Sequence, residues 1–176
     1  MRKNAFHYSS TDGQTTIHGI EWIPDGDVKG ILQICHGMVE YIDRYDEFAR
    51  YMTEQGFYVV GHDHLGHGKS VRSEEHYGHF PEKNGNKYVI GDVQKLRRHT
   101  EDKYPDVPYF MLGHSMGSFL LRQYLTMYAD DLAGAVIMGT GYQPYPVLAF
   151  GQLICKMIAG VKDWKFRSEF VNGLSF

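Results

Sequence analysis

The pentapeptide Gly113-His114-Ser115-Met116-Gly117 follows an apolar run, Tyr109–Leu112, and opens a segment of helical periodicity that reaches Ala129. A serine in a Gly-x-Ser-x-Gly turn between a buried strand and a helix sits where a nucleophile elbow would form. So tight a turn requires small residues on either side, and its strain lifts the hydroxyl clear of the sheet. The helix behind it points its free N–H groups, and the positive end of its dipole, to where an oxyanion would develop. The pattern predicts Ser115 as a nucleophile toward a carbonyl carbon. An earlier run, Ile31–Cys35, ends in His36-Gly37-Met38, and a loop at that position can offer another backbone N–H. The expected oxyanion donors are the amides of Met38 and Met116.

A third cluster suggests a different chemistry. His62, His64 and His67 in "HDHLGHGKS" have nearly the spacing of the His-x-His-x-Asp-His motif of the metallo-β-lactamase fold. Three imidazoles could hold zinc, and a zinc-bound hydroxide would need no serine. The aspartate of that motif would fall on Gly66, however, and no ligand set follows downstream. The expectation is therefore a site without metal or organic cofactor, with a zinc hydrolase as the lesser alternative.

The elements that must position these residues are legible from periodicity. "AFHYSS" and "TTIHGIEWI" alternate at period two around the turn "TDGQ", the pattern of a β-hairpin. "KGILQICHG", "FYVVGHD", "YFMLG" and "LAGAVIMGTG" are short, nearly continuous apolar runs, as in strands buried on both faces. Between them lie three helical patterns. The first carries Tyr45, Phe48, Ala49 and Met52 on one face, the second Val89, Val93 and Leu96, and the third follows Ser115. This alternation predicts an α/β fold with a mostly parallel sheet, and right-handed crossovers place helices on both of its faces. After Gly141 the apolar residues keep helical spacing, aromatics stand among basic residues, and no buried strand follows. That part reads as an insertion lying over the sheet.

Composition bounds the partners. A chain of 176 residues has room for one domain with a real core, and 43% hydrophobic against 22% charged is a globular balance. The net charge of −3 gives no ground for a nucleic-acid partner. Cys35 and Cys155 stand in unrelated contexts, which predicts free thiols and a reducing compartment. "MRKNAFHYSS" lacks the apolar stretch of a signal peptide, and Val147–Gly160 is too short for a bilayer and carries Lys156. The predicted location is the cytoplasm.

Three motifs, "HGMVEYIDRYDEFARYM", "GHDHLGHGKS" and "YPDVPYFMLGHSMGSFLLRQYL", together resemble the monoacylglycerol lipase and lysophospholipase branch of the α/β-hydrolases, grouped with serine aminopeptidases. The resemblance runs from about residue 10 to about residue 140. It implies an α/β-hydrolase fold, Ser115 as nucleophile, and the amides of Met38 and Met116 as oxyanion hole. Asp63, Gly66, Gly68 and Ser70 match the family's Asp-x-x-Gly-x-Gly-x-Ser loop. Glu40 and Arg44 match its Glu and Arg after the His-Gly pair, for which a structural role in holding that loop is expected. The segment from residue 142 to 176 resembles the start of the cap over the acyl pocket. Its apolar face would meet a lipid-like chain or a membrane surface.

One part of the pattern is missing. In this fold the nucleophile is followed by an acid and then a histidine, but the last of the ten histidines is His114. After Ser115 the carboxylates are Asp130, Asp131, Asp163 and Glu169, none of which follows a core strand. A substitute base would have to approach within roughly 3 Å. His36 flanks the oxyanion loop, and the His114 side chain should point away from the serine. The sequence therefore predicts that residues 1–141 are the N-terminal part of the core, truncated after the sixth strand, with the triad acid and histidine outside this chain. Such a chain would have at most residual esterase activity. The alternatives are a non-catalytic acyl-binding protein, or half of a two-chain hydrolase whose partner supplies the missing residues.

Overall fold

The computed structural model describes residues 1–164 and 166–173. Six strands, β1 (Arg2–Ser9), β2 (Thr16–Ile23), β3 (Gly30–Cys35), β4 (Phe57–His62), β5 (Tyr109–His114) and β6 (Gly134–Met138), form one sheet in the order β1-β2-β4-β3-β5-β6. β2 is antiparallel to β1 and to β4, and the other pairings are parallel. The helices in the same unit are α1 (Asp46–Glu54), α2 (Gly85–Lys103) and α3 (Met116–Tyr128). This is the predicted α/β architecture.

Every residue of β3 is buried. Its side chains alternate between two cores because successive residues of a strand face opposite ways. Ile31 and Cys35 join Val89, Val93 and Leu96 of α2 and Leu121 and Tyr124 of α3 on one face. Leu32 and Ile34 join Ile20, Trp22, Ile42 and Ala49 on the other, under α1. Gln33 interrupts the apolar run and is satisfied in place, since its Nε2 donates to the Val93 carbonyl at 3.0 Å and its Oε1 accepts the Tyr109 hydroxyl. The inner stripe of α1 is narrower than its sequence suggests. Ala49 is buried and Met52 packs beside it, while Phe48 lies at the edge of the stripe, exposed.

Two buried polar side chains fasten loops to this core. Asp92 of α2 accepts the Ser10 hydroxyl at 2.7 Å and the Thr11 amide at 2.6 Å, pinning the β1–β2 turn. Arg97 donates to the carbonyls of Tyr128 at 2.9 Å and Asp130 at 2.8 Å, closing the C-terminal end of α3.

The chain divides into two compact units, Met1–Thr140 and Gly141–Phe176. The second contains α4 (Tyr145–Lys162) and α5 (Glu169–Gly173). No residue of α4 is buried, and Val147, Phe150, Leu153 and Met157 are exposed. Among the described residues no helix is long and apolar enough to cross a membrane. Cys35 is buried and Cys155, on α4, is exposed; both thiols are free.

Candidate active site

β3 and β5 lie side by side in parallel, with Cys35 paired to Gly113. That register brings the loop after β3 against the turn after β5. Ser115 forms the turn itself, at φ 52° and ψ −118°, a conformation that a non-glycine residue holds at a cost of about 1–3 kcal/mol. Its amide donates to the Met138 carbonyl at 3.0 Å, and its carbonyl accepts the Ser118 amide at 2.9 Å and the Ser118 hydroxyl at 2.6 Å. Ser115 thus stands in a tight turn at the junction of β5 and α3.

The neighbours approach so closely that side chains are excluded. A Cβ on Gly117 would overlap the Cys35 carbonyl and lie 2.6 Å from that of His36. A Cβ on Gly37 would lie 3.1 Å from the Ser115 Cβ and 3.3 Å from the His114 carbonyl oxygen. The loop that carries Met38 is therefore in contact with the turn that carries Ser115 and Met116. Met38 and Val39 are exposed, and Val39 takes φ 59°, unusual for a β-branched residue.

Glu40 closes this loop. Its Oε1 accepts the Gly37 amide, the Tyr45 hydroxyl at 3.0 Å and His114 Nδ1 at 3.0 Å, and Arg44 stands 3.4 Å from its Oε2. Burial pushes the carboxyl pKa up, but the hydrogen bonds from His114, Gly37 and Tyr45 outweigh it and leave the pKa below the usual glutamate range.

His36 and His114 both bond to the loop after β3. His36 Nδ1 lies 2.7 Å from the Gly37 carbonyl, and its Nε2 accepts the His64 amide at 2.9 Å. One nitrogen must donate and the other accept, so the ring is neutral with its proton on Nδ1. Burial pushes its pKa down to about 4. His114 Nδ1 is held by Glu40. Both ring nitrogens of His36 are thus engaged, whereas at His114 the engaged nitrogen is Nδ1. The carboxylates downstream are also scattered: Asp130 and Asp131 lie in the turn between α3 and β6, Asp163 follows α4, and Glu169 opens α5.

The loop after β4 is built around Asp63. Its Oδ1 accepts the Ile42 amide at 2.8 Å, its Oδ2 accepts the Lys69 amide at 2.8 Å, and His18 Nδ1 lies 3.2 Å away. Ser70 Oγ accepts the His18 amide at 2.9 Å, and the Gly66 amide donates to the Ser70 carbonyl at 3.0 Å. Gly68 follows in the same turn with φ 48°. His62, His64 and His67 are buried. His67 Nδ1 lies 3.0 Å from the Leu65 carbonyl, whereas the ring nitrogens of His62 and His64 have no hydrogen-bond partner among the described residues. Among the described residues no group of three His, Cys, Asp or Glu side chains is placed to hold a metal ion. These histidines pack against one another and against His36, with the His36 and His64 ring centres 4.2 Å apart. The link between Glu40 and His114 has no signal in the sequence, because it depends on the register of β3 against β5.

Known proteins are similar to this chain over much of its length. The profile of the family described as "Serine aminopeptidase, S33" matches residues 26–172. Monoglyceride lipase of Mus musculus is 35% identical over 118 residues, which is 63% of this chain and 34% of that protein. Monoacylglycerol lipase of Mycolicibacterium smegmatis is 28% identical over 145 residues, 80% of this chain and 50% of that protein. A thermostable carboxyl esterase from Bacillus coagulans, solved in complex with glycerol, superposes with a TM-score of 0.81 at 30% identity, covering 92% of this chain and 52% of the esterase. The chain spans half or less of the length of these two lipases.

Proposed function

Because the chain belongs to the serine aminopeptidase family of α/β-hydrolases, we propose that it is the N-terminal part of a serine hydrolase of carboxylic esters, most like a monoacylglycerol lipase. The observation that carries this reading is Ser115 in a strained turn between β5 and α3, with the Gly37–Met38 loop packed against it. The Ser115 hydroxyl attacks the ester carbonyl, and the developing oxyanion accepts the amides of Met38 and Met116. Collapse of the tetrahedral intermediate breaks the bond to the alcohol and leaves an acyl group on Ser115, which water then releases as the carboxylic acid. The serine proton needs a base, and the engagement of both ring nitrogens of His36, with His114 the last histidine of the chain, supports placing the triad histidine and acid in polypeptide beyond this chain. The mouse and mycobacterial lipases support an ester with a lipid-like acyl chain. The segment from residue 142 onward is assigned to the beginning of a cap, whose exposed apolar residues face an acyl chain or a membrane surface.

Incubation with p-nitrophenyl butyrate, followed by intact-mass and peptide analysis, tests this reading. Slow acylation at Ser115 with little turnover is the expected result, and Ser115→Ala should abolish it. Acylation or turnover that survives Ser115→Ala would overturn the assignment of the nucleophile. Fast turnover that disappears in Ser115→Ala would place a working base within this chain.

A further inference from the structure

We propose that the Glu40 carboxylate and the His114 imidazole form a clamp that sets the separation of the Met38 and Met116 amides, which makes both side chains positioning residues for the oxyanion site. The inference rests on the assignment of those amides under the proposed function. A single buried oxygen of Glu40 gathers donors from three places: the Gly37 amide in the loop after β3, the Tyr45 hydroxyl before α1, and His114 Nδ1 at the end of β5. His114 immediately precedes Ser115, and Gly37 immediately precedes Met38. The same carboxylate therefore holds the backbone amide of the residue before Met38 and the side chain of the residue two before Met116. The two segments already touch, with Gly37 lying against Ser115 and the His114 carbonyl, so a small shift at either end passes directly to the other.

The strain in the loop points the same way. Val39 is 76% exposed and held at φ 59°. A β-branched residue leaves that region unless its surroundings hold it there. The bond from the Gly37 amide to Glu40 closes the chain across Val39 and supplies that restraint. Without the clamp the loop would relax toward ordinary backbone angles and carry the Met38 amide with it. A displaced donor matters because the loss of one oxyanion donor slows acyl transfer about a hundredfold or more.

The test uses the full chain, labelled with ¹⁵N, in wild-type form and as Glu40→Gln, His114→Phe and His114→Asn. The side-chain amide of asparagine can take the place of the His114 Nδ1 donor. Hydrogen exchange at Gly37 and Met38 should accelerate about tenfold in Glu40→Gln and His114→Phe and return most of the way in His114→Asn. Acylation of Ser115 by p-nitrophenyl butyrate should fall about tenfold at saturating ester in the first two variants, with half-saturation changed less than about twofold. If His114→Phe leaves the Gly37 and Met38 amides unmoved, the clamp is overturned. It is also overturned if those amides move while all four proteins acylate Ser115 at the same rate. If no protein is acylated but the amides respond as expected, the proposed function fails and the clamp geometry stands. Should Glu40→Gln not fold, the two His114 variants decide the matter.

Discussion

The two edge strands of the sheet finish it in opposite ways. β1 is long and charged: Lys3 reaches Asp43 at 2.5 Å and Asp46 at 2.6 Å, and Asn4 donates to Glu21 at 3.1 Å. β6 is short and apolar, with Val136, Ile137 and Met138 all exposed. Charges along an edge discourage further pairing, and an apolar edge invites it. Both strands read as strands in the sequence, and yet their surroundings differ completely. An apolar run expects burial, but only the neighbours in space can supply it. On the β1 side they do: Trp22 is fully buried with its indole N–H on Asp46 at 2.8 Å, and Asp92 holds the hairpin turn. On the β6 side the described residues do not.

Three measurements would sharpen or break this contrast. The largest effect is expected from Trp22→Ala, which removes a large side chain from the core under α1 and its bond to Asp46. Urea unfolding should show a loss of about 3–5 kcal/mol, and a loss below about 1 kcal/mol would mean that the β1 side is not where stability resides. Acid should come next. The folded state keeps His36 and His62 neutral, their pKa values pushed by burial down to about 4 and about 3, and burial likewise drives His64 well below its ordinary value. In the unfolded chain each takes a proton near pH 6.5. Stability is therefore complete above that pH and lost as pH falls from about 6.5 toward 4 and then 3, by a few kcal/mol in total. His62→Leu, which removes two unpartnered buried nitrogens, should make this loss shallower when urea midpoints are compared across pH. The smallest effect on folding is expected from Ile137→Lys on β6, within about 0.5 kcal/mol of wild type. Light scattering should show less self-association in this variant. A large destabilisation would show that β6 is as firmly packed as β1.

Much of the fold was legible because its signals are local. The hairpin around "TDGQ", the four apolar runs and the glycine-flanked Ser115 each announce themselves within a dozen residues. What escaped depends on register and burial. Asp92 reads as a polar residue beside the Val89–Val93–Leu96 face of its helix, but it is buried because the Ser10–Thr11 turn folds onto it. Glu40 and His114 are 74 positions apart in sequence, and nothing in either segment names the other. The spacing of His62, His64 and His67 left a zinc site as the lesser alternative, whereas the rings of His62 and His64 meet edge to face and Asp63 is taken up by the Ile42 and Lys69 amides. Phe48 has the right spacing for the core and still lies outside it, because α1 is a short helix whose stripe is one residue wide at that turn.

The two thiols make the protein its own pair of clocks. Cys35 is sealed at the C-terminal end of β3, where burial raises its pKa to about 12, so an alkylating reagent reaches it only after the central strand has come apart. Cys155 stands open on α4 and reacts at once. A single maleimide experiment, read at both residues, would time the opening of the sheet against the immediate labelling of the 141–176 unit, with no cysteine added or removed.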